Sequence, residues 1–335
     1  MRHVIFGGDG FVGRHLAPKL VADGEEVIVA DIVKSGLPHY RSVRTIRCDV
    51  TDPASVAAVG LKADDIVYNL SAKMLSPIQV RAKRHDFFFS VNFHGTEHIM
   101  KAMDKAGAPR LVHYTTDMIY GHTVTQPMTE EHPVAPLGEY GWSKQKTEEL
   151  AAEWRRRGMS IALFRPRLII VPGRLGILEK LFKLIDRNFP VPMIGSGRNP
   201  YQFISVFDCA EAARAAWKAG VPNEAYNLGS LNPPPVKKLL GDLIRHAGSK
   251  SMLIPTASWV VKRTLDLLDL VNMPIMDPEQ YLIADEECVL DVSKAERQLG
   301  VPQYRDEDML IAAYSEYRAK KDGHAVATAK HFPAE

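Results

Sequence analysis

Three side chains of the types that transfer protons lie in the middle of the chain. Thr116 directly follows an apolar run, residues 111–115, and Tyr140 and Lys144 follow with helical i, i+4 spacing. On one helix face, a lysine ammonium can lower the pKa of a phenol from about 10, as a general acid or base near neutrality requires. Tyr-x-x-x-Lys alone also fits a solvated helix face. With Thr116 and the glycine-rich N-terminus, it predicts a catalytic set.

A glycine-rich turn follows the first apolar run. Residues 3–6 predict a buried strand, four glycines fall within residues 7–13, and an amphipathic helix is predicted over 11–22. Glycines let a turn approach a pyrophosphate, and a helix N-terminus offers free N–H groups and the positive end of its dipole. Tight turns also use glycine for steric reasons, but the strand–turn–helix context favours a dinucleotide site. Its predicted residues are Gly7, Gly10, Phe11, Val12 and Gly13.

A carboxylate lies where the adenosine ribose of such a cofactor would bind. Asp31 follows the second predicted strand, residues 26–30, at the chain distance from the glycines typical of a ribose-binding acid. The alternative is an ordinary turn aspartate at a strand end. Because an acid repels a 2′-phosphate, Asp31 favours NAD over NADP, although Lys34 and Arg14 can soften that preference.

The elements that must position these groups alternate along the chain. Strands are predicted over 43–47, 65–69 and 110–115, with helices over about 84–106 and 140–157. Such alternation indicates right-handed βαβ units and a parallel sheet. The predicted fold class is therefore α/β, a Rossmann-type doubly wound parallel sheet with a smaller C-terminal substrate-binding region.

The pattern also predicts how the chain is divided. Residues 1–171 are expected to form the NAD-binding domain. Residues 172–318 are expected to be mainly substrate-binding, with a return to the sheet near 203–229, and residues 319–335 to be a flexible tail.

Composition limits the classes of protein to consider. The 335 residues are 46% hydrophobic and 24% charged, which is ordinary for a globular enzyme, and the net charge of +2 gives no field suited to nucleic acid. Three scattered cysteines predict neither a disulfide framework nor a metal site. No apolar run approaches the roughly 20 residues of a membrane span, and a strand predicted at the very N-terminus leaves no room for a signal peptide. A cytoplasmic location is expected.

These motifs together resemble the NAD-dependent epimerase/dehydratase family of extended short-chain dehydrogenases/reductases, over about residues 2–317. They are specific for the family and weakly specific for the substrate. The motifs that carry the resemblance are Gly7-x-x-Gly10-x-x-Gly13, Asp31, Asp49-Val50, Thr116-Asp-Met-Ile-Tyr-Gly121, Tyr140-x-x-x-Lys144, Phe164-Arg-Pro166, Gly195-Ser-Gly197, Ser205-Val-Phe-Asp208, Tyr226-Asn-Leu-Gly229 and Asp291-Val-Ser-Lys-Ala295 with Leu299-Gly300.

The resemblance implies further cofactor-binding residues. Asp49 and Val50 would flank the adenine. Asn92 matches a family asparagine near the cofactor, although an amide inside a helix can equally be structural. The remaining residues implied to contact NAD are Leu70, Ser71, Ala72, Tyr140, Lys144 and Pro166.

The resemblance also implies the chemistry. Tyr140 would exchange a proton with a substrate hydroxyl or keto oxygen as hydride moves to or from the nicotinamide. Lys144 would bind the nicotinamide ribose, and Thr116 would orient the substrate oxygen. The implied reaction is 4-epimerisation or 4-keto reduction of a nucleotide-activated sugar.

The substrate side departs from the family pattern at two positions. Met118 replaces the glutamate of the sugar dehydratases, and a thioether cannot act as the acid that eliminates water. Leu168 replaces an asparagine that contacts the diphosphate in typical epimerases. Arginines can bind such an anion, although most basic residues are simply solvated. The predicted substrate-binding residues are Asp117, Met118, Arg167, Arg174 and Arg198.

Other interpretations stay open. Residues 259–271 have apolar side chains at helical spacing, which favours a helix that covers the core or a pocket over one that faces lipid or a partner. This segment resembles sterol-dehydrogenase-like relatives, so a 3β-hydroxysteroid-type dehydrogenase is an alternative. A non-catalytic NAD-binding scaffold or sensor is an alternative of another class. Helices 84–106 and 138–157 resemble the pair that forms the family's four-helix interface, which predicts a homodimer.

Overall fold

The computed structural model describes residues 1–33, 43–170 and 178–322. The strands in these ranges are β1 (Arg2–Phe6), β2 (Glu26–Asp31), β3 (Arg44–Arg47), β4 (Ile66–Asn69), β5 (Arg110–Tyr114), β6 (Ser160–Pro166), β7 (Leu168–Ile170), β8 (Val191–Ile194), β9 (Phe203–Ser205), β10 (Ala225–Leu228) and β11 (Leu253–Thr256). The α-helices are α1 (Gly13–Ala22), α2 (Pro53–Ala57), α3 (Arg81–Phe89), α4 (Thr96–Ala106), α5 (Glu139–Arg156), α6 (Leu178–Asp186), α7 (Val206–Lys218), α8 (Val236–His246), α9 (Ser258–Leu270), α10 (Pro278–Leu282), α11 (Ser293–Leu299) and α12 (Asp306–Lys321).

Seven strands form one parallel sheet in the order β10-β6-β5-β4-β1-β2-β3. The order runs outward from β1 in both directions, so β1 and β4 meet at the topological switch point where ligands of such sheets bind. The predicted Rossmann-type fold is confirmed. The catalytic and glycine-rich segments follow β5 and β1 respectively, at the carboxyl edge of the sheet.

Both faces of the sheet are covered, which explains why its central strands are largely apolar. Along β1, Ile5 enters a core shared with Leu16 of α1 and helix α7. Its neighbour Val4 enters a second core, shared with Met100 of α4 and Trp154 of α5. Successive side chains of a strand point to opposite faces, so a sheet covered on both sides needs apolar residues at every position.

The C-terminal region adds a third core. Strand pairs β8–β11 and β7–β9 are also parallel. Helices α6, α8 and α12 contribute the large apolar side chains of this core, including Phe182, Leu243 and Tyr314. Between these elements the chain returns to the main sheet as β10.

The helix predicted over 84–106 is interrupted. Helices α3 and α4 are separated by a π-helical segment, Ser90–Gly95. Just after it, the Thr96 hydroxyl donates to the Asn92 carbonyl oxygen across 2.6 Å. Such insertions re-aim side chains and often occur at functional sites. The prediction of a continuous α-helix was therefore wrong at this segment.

The start of α7 and the end of α12 are both described. The Ser205 hydroxyl caps α7 by accepting the Phe207 N–H, and the Asp208 carboxylate accepts the Gln303 N–H. Helix α12 continues to Lys321, past the start predicted for the tail, while residues 323–335 lie outside the described part of the chain.

Helix α9 is oriented differently from the prediction. Trp259, Leu267 and Leu270 are 72%, 63% and 64% exposed, whereas Asp269 is buried. The Asp269 carboxylate is held by a bidentate ion pair with Arg84 of α3, which turns the polar side of the helix inward. Within the ranges above, no helix is long and apolar enough to cross a membrane.

Candidate active site

The three predicted catalytic residues converge at the carboxyl end of β5. Thr116 caps a single 3-10 turn, Asp117–Ile119, by accepting the Met118 N–H across 3.2 Å. Tyr140 lies in the first turn of α5, and Lys144 lies one turn further along. All three are buried and line one cleft of about 330 Å³, which we call the central cleft.

The phenol of Tyr140 is withdrawn from solvent. Burial raises the pKa of Tyr140, a side-chain hydrogen bond with Thr116 opposes that shift, and the charges of Asp117 and Glu279 add to it. The lowered tyrosine pKa expected from the sequence is therefore not found. The tyrosine pKa is raised because loss of water destabilises the phenolate more than the neighbouring groups stabilise it.

Lys144 is only 1% exposed, and its ammonium donates to the main-chain oxygen of Tyr114 across 2.9 Å. Burial lowers the pKa of Lys144 to about 8, while the charge of Glu148 acts in the opposite direction. The lysine is thus held at the end of β5 and is poised to change charge near neutrality.

The glycine turn packs against the end of β4. Gly7 has a φ of +72°, and a Cβ there would lie 2.6 Å from the Ser71 main-chain nitrogen. A Cβ on Gly10 would lie 2.8 Å from the Gly7 oxygen, and Gly13 approaches Gly8 even more closely. The turn thus has the close backbone packing of a dinucleotide-binding turn.

Asp31 lies at the carboxyl end of β2 beside this turn. Its two carboxylate oxygens accept the main-chain N–H groups of Asp9, at 2.9 Å, and Val33, at 3.0 Å. A carboxylate has about four acceptor sites, so lone pairs remain for ribose hydroxyls. The position fits the predicted ribose contact.

Asp49 and Val50 follow β3 along the same edge. The exposed Asp49 carboxylate accepts the main-chain and hydroxyl groups of Thr51, at 2.9 and 2.7 Å. The buried Val50 packs on Gly95, where a Cβ would lie 2.7 Å from a valine methyl.

Asn92 joins the cofactor side of the site to the catalytic helix. Its amide oxygen accepts the Lys73 N–H at 2.8 Å, and its amide nitrogen donates to the Ser143 hydroxyl at 2.9 Å. The π-helical segment aims the side chain toward both partners. Asn92 therefore fixes the residues 70–73 against α5.

The predicted cofactor residues differ in their relation to the central cleft. Five of them, besides Tyr140 and Lys144, contribute to its lining: Phe11, Val12, Leu70, Ala72 and Pro166. The Ser71 N–H instead donates to the Asn69 side chain across 3.1 Å. The cleft thus extends from the glycine turn to the catalytic set.

Two predicted substrate residues form a buried ion pair inside the cleft. Arg167 donates to the Asp117 carboxylate and lies over the Tyr201 ring. Burial opposes the charge of Arg167, but Asp117 raises its pKa above the usual value. Arg167 Nε has no hydrogen-bond partner among the described residues, so it keeps one donor to offer.

The other predicted substrate residues lie in different surroundings. Met118 lines the cleft near Thr116. Arg198 is exposed in the turn after β8 and does not contribute to the cleft lining that the structure describes. Arg174 lies outside the described residues.

Sequence reasoning missed the apolar wall of the cleft and one acid behind it. The wall combines two segments far apart in sequence, and its residues include Met74, Leu75, Ile78, Ile275, Met276 and Ile283. The acid is Glu279, which accepts the Tyr140 N–H across 2.8 Å. Asp277-Pro278 is a helix-start signal that predicts α10, but it does not reveal what α10 contacts.

Comparison with known proteins agrees with this geometry. The model of the NAD dependent epimerase/dehydratase family matches residues 3–229, and the chain belongs to that family. The matched part includes the glycine turn, Asp31 and the whole catalytic set.

Several relatives are similar over most of the chain. The uncharacterized protein y4nG of Sinorhizobium fredii is 29% identical over 95% of this chain and 79% of its own length. The dTDP-D-glucose 4,6-dehydratase of Mus musculus is 24% identical, over 77% and 76%. The putative UDP-glucose 4-epimerase of Methanocaldococcus jannaschii is 26% identical, over 72% and 81%.

Solved structures share the fold. A UDP-glucose 4-epimerase of Thermotoga maritima, solved with UDP-glucose, has a TM-score of 0.76 at 21% identity, and the alignment covers 96% of this chain and all of that one. A UDP-glucuronic acid 4-epimerase of Bacillus cereus, solved with NAD, has a TM-score of 0.74 at 19% identity, over 97% and 99%.

Proposed function

We propose that this enzyme uses NAD to oxidise and reduce one secondary alcohol carbon of a nucleotide-activated sugar, by 4-epimerisation or 4-keto reduction. The observation that carries the proposal is the convergence of Thr116, Tyr140 and Lys144 in a cleft that extends to the glycine turn. The sugar epimerases and dehydratases among its relatives support the substrate class.

The residues act on a single oxygen. NAD, when bound, accepts and returns the hydride of the substrate C–H bond. Tyr140 takes the proton of the substrate hydroxyl during oxidation and gives it back during reduction. Thr116 holds that oxygen beside the phenol, and the positive charge of Lys144 favours the phenolate that forms.

The substrate side of the cleft favours epimerisation or reduction over dehydration. Met118 follows Thr116 and Asp117, and its thioether has no proton to donate to a leaving hydroxyl. The Arg167 Nε is a donor for a sugar or phosphate oxygen. Because Asp117 already pairs with this guanidinium, Arg167 would orient the substrate by a hydrogen bond more than attract it by net charge.

Asp31 supports NAD over NADP because a carboxylate at the ribose repels a 2′-phosphate. We also expect a homodimer through residues 84–106 and 138–157, which form α3, α4 and α5, in the cytoplasm. Trp142 on α5 is exposed and available for such an interface. Size-exclusion chromatography with light scattering tests this expectation, and a monomer at micromolar concentration would contradict it.

The test is turnover of UDP-glucose and dTDP-glucose with no cofactor added, followed by NMR of the sugar. An epimerase recycles its own NAD and forms the 4-epimer. A reductase needs the 4-keto sugar and consumes NADH in equal amount. The proposal fails if no nucleotide sugar is converted, whether with the enzyme's own NAD or with added NADH.

Tyr140→Phe separates a catalytic role from a binding role. We expect its NAD affinity to stay within about twofold, and its turnover to fall roughly 100- to 10,000-fold, as removal of a general acid does. Unchanged turnover in this variant would mean that Tyr140 is not the proton donor.

One observation favours a second candidate, a 3β-hydroxysteroid-type dehydrogenase. The substrate side of the cleft is largely apolar, with Met74, Ile78 and Met276 among its lining. Fused carbon rings bury such a wall better than a pyranose does. A 3β-hydroxysteroid should then reduce NAD stoichiometrically at the nicotinamide absorbance band, without any epimer.

A further inference from the structure

The first turn of the catalytic helix is completed by a residue from a distant part of the chain. Helix α5 begins after Gly138, which has no side chain to cap it. Glu279 of α10 accepts the Tyr140 N–H at 2.8 Å and the Gly141 N–H at 2.9 and 3.1 Å. The first N–H groups of a helix lack partners within the helix, and a carboxylate suits its positive end.

Two glycines make room for this carboxylate. A Cβ on Gly138 would lie 2.7 Å from one Glu279 oxygen, and a Cβ on Gly141 would lie 2.8 Å from the other. The same Cβ of Gly141 would lie 2.7 Å from the Met118 oxygen. The carboxylate therefore fits between the helix and the turn that carries Thr116.

Glu279 is itself held firmly. It is 2% exposed, and its own N–H donates to Asp277, the cap of α10, across 3.1 Å. Asp277 lies 3.6 Å from the Arg84 Nε of α3, and Arg84 also pairs with Asp269 of α9. Four helices thus meet around one buried set of charges.

We propose that Glu279 is a positioning residue for Tyr140. Its carboxylate holds the first turn of α5 so that the phenol stays beside Thr116, and its negative charge opposes proton loss from that phenol. The inference rests on the proposed function, in which Tyr140 is the proton donor.

The groups around Glu279 determine how its charge changes the pKa of Tyr140. Asp277 on its own helix, Asp117 from the turn after β5 and Tyr140 of α5 face it. Behind Asp277 lie Arg84 of α3 and its partner Asp269 of α9. Burial raises the pKa of Glu279 to about 8, Asp277 adds to that shift, and the two helix N–H groups oppose it. The charge of the ionised carboxylate in turn raises the pKa of Tyr140.

Two substitutions separate geometry from charge. Glu279→Gln keeps an oxygen that accepts the helix N–H groups, so its maximal turnover should stay within about threefold of wild type. Its pH–rate profile for alcohol oxidation should move to lower pH by about half a unit or more, because the phenol loses a negative neighbour. Glu279→Ala loses the acceptor as well, and kcat should fall roughly 10- to 100-fold with a smaller change in KM.

Glu139→Gln is the matched control. Glu139 is also in the first turn of α5, but its side chain points to the surface and pairs with His85. Its removal should leave the pH–rate profile unshifted. A Glu279→Gln pH–rate profile that superposes on that of wild type would overturn the proposal. A Glu279→Ala kcat equal to that of wild type would overturn it as well.

A second readout does not depend on the substrate. Tyr–Gly dipeptides occur twice in the sequence, at 120–121 and 140–141. Protein labelled with carbonyl-¹³C tyrosine and ¹⁵N glycine therefore gives two coupled amide signals, one of them at the Glu279 contact. We expect the Gly141 signal to differ between wild type and Glu279→Ala, which loses the acceptor of this N–H, with Gly121 as the internal reference.

The two readouts distinguish the possible failures. If the wild-type enzyme converts no sugar while the Gly141 signal depends on Glu279, the proposed function fails and the positioning role falls with it, although the contact stands. If the enzyme is active and the Gly141 signal is the same in wild type and Glu279→Ala, the positioning proposal alone is wrong.

Discussion

Lys144 donates its hydrogen bond to the main-chain oxygen of Tyr114, 2.9 Å away, at the point where β5 ends. The strand that carries Thr116 and the helix that carries Tyr140 are thereby joined through a buried ammonium. The same bond keeps the lysine out of the apolar cores and beside the central cleft. Burial of the charge carries a cost, which can be measured as stability.

Replacing Lys144 with Met should make the ligand-free protein more stable at neutral pH. Burial lowers the lysine pKa to about 8 from its usual value of 10.5, which corresponds to roughly 3 kcal/mol against folding. The lost bond to Tyr114 offsets about 1 kcal/mol or more. We therefore expect a gain of roughly 1 to 2 kcal/mol at pH 7, measured by urea unfolding.

The stability difference between wild type and Lys144→Met should depend on pH. The wild-type penalty is full below pH 8, where lysine is charged in both states, and it disappears as pH rises from about 8 towards 10.5. The advantage of Lys144→Met should shrink over that window. A variant that is less stable than wild type at pH 7 would show that the ammonium is not buried at a cost.

The Asp117–Arg167 pair should be essential to the folded protein. Asp117→Asn leaves the buried Arg167 charge without its carboxylate, and unpaired buried charges cost about 3 to 5 kcal/mol. We expect a loss of that size in the free energy of unfolding by urea. In the double variant Asp117→Leu with Arg167→Met, no charge of the pair remains buried, so this variant should recover most of the lost stability. Equal destabilisation of the single and double variants would contradict this expectation.

The charge of Asp31 should set the cofactor preference. Asp31→Asn keeps an oxygen for the Asp9 N–H, removes the negative charge and loses the acceptor for the Val33 N–H. The ratio of the NADP and NAD dissociation constants should fall roughly tenfold, measured by titration calorimetry. Glu26→Gln, at the opposite end of β2, removes an exposed charge and should leave the ratio unchanged. A wild type that already prefers NADP would contradict the ribose assignment.

Gly7 and Gly24 provide a matched pair for the close approach of the glycine turn. Both have positive φ, +72° and +84°, but a Cβ on Gly7 meets Ser71 and Leu70 whereas a Cβ on Gly24 meets open space. Gly24→Ala should cost about 1 to 2 kcal/mol from backbone conformation alone. Gly7→Ala should cost more and weaken NAD binding at least tenfold; equal stability losses would show that the contact with β4 is loose.

The sequence pattern was sufficient to predict the site residues that lie close together along the chain. Tyr140 and Lys144 share one helix, Thr116 ends one strand, and the glycines occupy one turn, so spacing alone brings them to the same sheet edge. The parallel sheet also follows from alternation, because βαβ units have one handedness. Residue roles beyond these segments came from the family resemblance.

Features that depend on distant partners were not predictable. Glu279 lies 139 residues from Tyr140, and Asp269 lies 185 residues from Arg84. The apolar spacing of α9 predicted a buried face, but the ion pair of Asp269 turned the helix the other way. The π-helical segment escaped prediction because one added residue per turn barely alters an apolar pattern over six positions.

The contact between Glu279 and the start of α5 also bears on the order in which the molecule is made. A ribosome that has reached residue 229 has already produced the whole seven-stranded sheet, the glycine turn and Tyr140. The acid that completes the first turn of the catalytic helix emerges some fifty residues later. During synthesis, the residues proposed to bind NAD therefore exist before the proposed catalytic tyrosine has its final surroundings.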